Sequence, residues 1–126
     1  MSWTAKYFSE SEMACQCGCG ESPMDQDFMN KLDELREAYG KPMRITSGYR
    51  CPDHPIEAKK SKPGAHSSAK ACDIGVDRAD AHEILRLAFT LGFKRIGVQQ
   101  KGSGRFIHLD TATAEDGFPE TTVWSY

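Results

Sequence analysis

The sequence predicts a single α+β domain, residues 1–126, with two main helices packed on an antiparallel sheet. Three observations carry this expectation. Segments 23–39 and 79–91 repeat apolar residues at helical spacing. Segments 71–76, 95–99 and 106–110 alternate apolar and polar residues, as half-buried strands do. Lys101-Gly102-Ser103-Gly104 is a hairpin-type turn, and short connections of this kind set neighbouring strands antiparallel. With 126 residues and 39% hydrophobic content, the chain can fill one modest core but not two.

The elements follow in order. Residues 1–22 are mostly irregular, with Phe8 and Met13 expected to plug into the domain and residues 9–12 to open a short helical turn. Over 23–39, Ser22 is the expected N-cap and Pro23 suits the first helical position. Phe28, Leu32, Leu35 and Tyr39 form its core stripe, and Gly40 ends it. Residues 43–47 read as a strand that delivers Gly48-Tyr49-Arg50. Residues 51–65 are a long polar loop, expected to rim a cleft, with Lys59, Lys60 and Lys62 as a small basic patch.

Cys72, Ile74 and Val76 then share one strand face and Asp73 takes the other. The second helix covers 79–91, capped by Asp77 or Asp80 and closed by Gly92. Ala81, Leu85, Ala88 and Leu91 line it, with Ile84 beside them, and His82 is read as exposed. Ile96 and Val98 point inward from the 95–99 strand. In the 106–110 strand Ile107 and Leu109 share one face, and Phe106, His108 and Asp110 the other. Residues 121–126 are expected to add a short edge strand.

The net charge of −2 and the lack of a basic run argue against nucleic acid as a partner. No stretch reaches the length of a membrane helix. The N-terminus carries no apolar signal segment, so cytoplasmic synthesis is expected.

The chemistry-bearing residues are His66, Asp73 and His108. Two imidazoles and a carboxylate make a three-ligand metal set, which leaves one position open, the catalytic rather than the structural form of a zinc site. His54 is read as a loop-bracing residue. Five cysteines are an odd number for pairing within one chain. Cys15, Cys17, Cys19 and Cys51 read either as a small structural zinc site or as a tight turn of partly buried thiols. Their Cys-x-Cys-x-Cys spacing is tighter than usual for zinc and favours the turn.

Ser47-Gly48-Tyr49-Arg50, then His66 and Asp73 seven apart, then Phe106-Ile107-His108-Leu109-Asp110, resembles the zinc D-Ala-D-Ala carboxypeptidase family and its peptidoglycan endopeptidase relatives. The likeness is to its short phage and prophage members, and it runs from Phe8 to the terminal residues. It implies the fold shared with the hedgehog signalling domain and one catalytic zinc held by His66, Asp73 and His108. It also implies a peptidoglycan stem peptide as substrate and Arg50 in the substrate cleft. Without a signal segment, the expected delivery to the wall is by phage-type release or as a virion component, the alternative being a cytoplasmic role on soluble wall precursors. A monomer is expected. Many members carry an acidic general base three residues before the second histidine, where this chain has Arg105. Gln99 and Gln100 cannot act as bases. Asp110 is the nearest substitute, either as the base or as the residue that orients His108. The missing acid keeps a second reading open, a non-catalytic zinc-stabilised binding module.

Overall fold

Residues 3–51, 54 and 64–126 are described by the computed structural model. In chain order they form α1 (Glu10–Met13), α2 (Gln26–Tyr39), β1 (Ile45–Ser47), β2 (Ala71–Ile74), α3 (Arg78–Thr90), β3 (Arg95–Gln99), β4 (Phe106–Asp110) and β5 (Thr122–Ser125). A 3-10 turn, Ala65–Ser68, leads into β2. The expected rim loop and its lysines lie almost wholly outside the described residues.

The α+β class holds. The five strands form one sheet in the order β1-β2-β4-β3-β5. The pairs β1–β2, β2–β4 and β3–β4 are antiparallel as expected, but β5 runs parallel to β3. The cause is where the chain re-enters. β4 ends at Asp110 opposite Arg95, at the start of β3, and β5 begins at that same end with Thr122 opposite Arg95.

Helix α2 starts later than its proline suggests. Ser22 is not its cap; Asp25 is, accepting from Phe28 N–H at 2.9 Å. Residues 22–25 are held out of the helix by long-range bonds, from Trp3 Nε1 to the Ser22 carbonyl and from Asp25 N–H to the Ala69 carbonyl. Gly40 ends the helix at φ 77°, where a side chain would be strained. Phe28, Leu32 and Leu35 are fully buried, with Met29 beside them. In α3 the buried set is Ala81, Ile84, Leu87 and Ala88, so Leu87 replaces Leu85 as a core residue. Asp77 occupies the N-cap without a side-chain bond, and Asp80 pairs with Lys41. His82 is exposed, as expected.

Both long helices pack on one face of the sheet. There Cys72, Ile74, Ile96, Ile107 and Leu109 join the helix residues in one core with Phe8 and Met13. Alternation along the strands then sends Asp73, Arg95, His108 and Asp110 to the opposite face. All four are buried.

Candidate metal centre

Sheet register makes the first contact of the site. Asp73 on β2 lies directly opposite His108 on β4. His66 arrives from the 3-10 turn, which is bolted from both sides. Ser67 Oγ donates to the Arg50 carbonyl, and Arg50 N–H donates to the His66 carbonyl. Ala69, at φ 67°, then reverses the chain into β2.

The two imidazoles are anchored from behind. His66 Nδ1–H donates to the Gly48 carbonyl at 2.7 Å. That bond leaves the Nε2 lone pair facing Asp73 Oδ1 at 3.3 Å. His108 Nε2–H donates to Asp110 Oδ2 at 2.6 Å, and its Nδ1 faces the same Asp73 Oδ1 at 3.0 Å. One carboxylate oxygen thus meets two nitrogens whose ring partners already hold the N–H protons. Facing lone pairs of this kind require a proton or a cation between them. The His66, Asp73 and His108 ligand atoms lie within 4.8 Å of one another, close enough to share one ion. Nitrogen, nitrogen and carboxylate oxygen is a donor set that zinc accepts, and histidine ligands anchored through their second nitrogen are the rule at zinc sites. The residues therefore fit the ion that the sequence led us to expect.

Protons on the imidazoles meet this apposition in place of a cation: burial pushes the Asp73 carboxyl upward, but hydrogen bonds from His108 and His66 outweigh it and hold the group well below the usual carboxylate range. Burial would lower His108, yet the Asp110 and Asp73 carboxylates raise it above its ordinary value. The neighbouring Cys72 points to the core, where burial pushes its thiol well up.

Both carboxylate oxygens of Asp110 are engaged. Its side chain is fully buried. Oδ1 accepts from Arg95 Nε at 2.7 Å and from Ala112 N–H at 3.1 Å, while Oδ2 accepts from His108. It lies behind the imidazole, on the side away from Asp73. The expected shared face of His108 and Asp110 is seen as a direct contact between the two side chains. Arg50 sits nearer the ligands, with Nη2 3.6 Å from Asp73 Oδ2 and Nε donating to Ser47 Oγ at 3.1 Å. Arg105 turns into its own hairpin, donating to the Gly102 carbonyl at 2.9 Å.

Two neighbours escaped the sequence reading. Buried Arg95 neutralises Asp110, and its guanidinium stacks on Trp124 and Phe118 at 4.9 and 5.0 Å. Trp124 crosses β3 at Gly97 and brings its ring to 5.1 Å from that of His108. A Cβ on Gly97 would lie 2.6 Å from Trp124 Nε1, so only glycine lets the indole lie there. The signals were present: an arginine on the polar face of a strand, and a glycine within β3.

A family model described as Peptidase M15 matches residues 6–110. No curated protein matches the chain.

Proposed function

The chain belongs to the peptidase M15 family, whose members are zinc-dependent peptidases, and from that premise we propose that it hydrolyses peptidoglycan stem peptides at the cell wall. The bond cut would be that of a D-Ala-D-Ala carboxypeptidase or of an endopeptidase. The observation that carries the proposal is the pair of back-anchored imidazoles converging on a single Asp73 oxygen.

His66, Asp73 and His108 would hold the ion. Bound there, zinc supplies Lewis-acid chemistry, polarising a peptide carbonyl and acidifying water. The protein's own groups set the stage for it. The Gly48 carbonyl and Asp110 fix the tautomers and ring planes of the two histidines. Arg95 holds Asp110 in place through its bond to Oδ1. Arg50, beside the ligands with its rigid fork of donors, is the group to receive a substrate carboxylate or carbonyl oxygen. Trp124 gives the site an apolar wall on the β5 side.

The test uses purified peptidoglycan. Peptide release is followed by mass spectrometry with the zinc-loaded chain, with chelator, after zinc is restored, and with His66→Ala. Release that stops with chelator, returns with zinc and is lost in His66→Ala supports the proposal. Release indifferent to chelation refutes it. One observation favours a second reading: Asp110 is committed behind His108, and position 105 holds an arginine turned into its hairpin. Binding of the zinc-loaded chain to peptidoglycan without any release would select the non-catalytic module.

A further inference from the structure

The N-terminal cysteines are gathered at one point by the fold. Cys15 Sγ lies 3.3 Å from Cys17 Sγ and 3.6 Å from Cys51 Sγ, and Cys17 Sγ lies 3.4 Å from Cys51 Sγ. The Cys19 sulfur completes a group in which all four lie within 4.8 Å of one another. None is in a disulfide; that bond would need about 2.05 Å. Four sulfurs about 2.3 Å from a central zinc stand roughly 3.8 Å apart along the edges of a tetrahedron. The observed spacings come close to that figure.

The chain takes trouble to achieve this. In a strand, alternate residues stand about 7 Å apart, so Cys-x-Cys-x-Cys would line its sulfurs in a row. Here Gly18 at φ 96° and Gly20 at φ 75° reverse the backbone after Cys17 and Cys19. The sulfurs swing inward instead. Cys15 N–H closes the loop on the Glu21 carbonyl at 2.7 Å. Two backbone amides point at sulfur, Cys51 N–H at Cys15 Sγ (3.3 Å) and Glu21 N–H at Cys19 Sγ (3.4 Å), and help fix where those sulfurs stand. The fourth sulfur comes from 32 positions beyond Cys19, at the far end of the Gly48-Tyr49-Arg50 segment.

We infer that Cys15, Cys17, Cys19 and Cys51 form a closed, four-thiolate structural zinc site, separate from the His66–Asp73–His108 centre. Soft thiolates in tetrahedral array select zinc, and four of them leave no position for water. Such a site clamps the N-terminal segment onto the strand end that presents Gly48 to His66. The segments already touch there. Tyr49 N–H donates to the Met13 carbonyl at 2.8 Å, and a Cβ on Gly48 would lie 2.7 Å from Met13 Cα. The clamp would hold in place the carbonyl that orients a ligand histidine.

The experiment uses the full chain, reduced and handled without oxygen. Loading with Co²⁺ is expected to give intense thiolate-to-cobalt charge-transfer absorption in wild type and in His66→Ala. The Cys17→Ser, Cys19→Ser double variant should lose it. In wild type, Zn²⁺ is expected to protect Cys15, Cys17, Cys19 and Cys51 from alkylation, read residue by residue by mass spectrometry. Absence of the thiolate band from wild type overturns the inference. So does alkylation of these four that is indifferent to Zn²⁺, or retention of the band by the double variant. Because His66→Ala leaves the four sulfurs intact, failure of this site and failure of the peptidase reading give different results.

Discussion

Replacing Asp110 by asparagine separates an orienting role from a base role. The carboxylate offers acceptors in two directions, to Arg95 and Ala112 N–H through Oδ1 and to His108 through Oδ2. Asparagine has one acceptor oxygen and an NH₂ group. If the oxygen stays with Arg95, the NH₂ faces the His108 Nε2–H and two donors collide. The imidazole escapes by moving its proton to Nδ1, the nitrogen that faces Asp73 and would bind the ion. Zinc affinity should therefore fall by about 10- to 100-fold. Hydrogen bonds to charged groups contribute about 1.5–3 kcal/mol each, so the loss of one should lower folding stability by that order. Zinc affinity is measured by competition with a chromophoric chelator, stability by urea unfolding, and peptide release at saturating zinc. We expect near wild-type turnover once zinc is saturating. Unchanged zinc affinity with turnover down by about 10²- to 10⁴-fold would refute this reasoning and restore Asp110 as the base.

Three further outcomes are expected. Gly97→Ala drives a methyl group into Trp124, which must leave its place between Arg95 and His108; overpacking of this kind costs about 1–3 kcal/mol, read by urea unfolding together with the shift in tryptophan fluorescence. Asp25→Ala removes the N-cap of α2 and should cost about 1 kcal/mol, whereas Ser22→Ala should cost far less; equal losses would return the cap to Ser22. Asp116 is held below the ordinary carboxylate value chiefly by its bond from Lys70, so its folded pKa lies below its unfolded one. Its contribution is complete above the unfolded value and disappears as pH falls through the folded value. The stability gap between wild type and Asp116→Asn should therefore be present at neutral pH and close in acid.

Strand alternation made much of the site legible. Period two put Asp73 on one face of β2 and His108 with Asp110 on one face of β4, and the sheet brought those faces together. Helix α2 was visible from Phe28, Leu32 and Leu35, but not its start, because the bonds that keep 22–25 extended come from Trp3 and Ala69, far away in sequence. The role of Asp110 turned on Arg95, a partner fifteen positions distant whose pairing depends on the β3–β4 register. β5 was expected at an edge, but its direction hung on the path of residues 111–121. How near the cysteine sulfurs come was not legible from their spacing, for a local reason: two glycines at positive φ compress a spacing that in extended backbone would keep the sulfurs apart.

The central claim is that His66, Asp73 and His108 share one zinc ion. Crystals of the zinc-loaded chain, with anomalous differences measured above and below the zinc edge, test it directly. The account predicts a peak bounded by His66 Nε2, Asp73 Oδ1 and His108 Nδ1, about 2.0–2.2 Å from each. No peak there at full zinc loading, with Asp73 still bonded to both imidazoles, would contradict it.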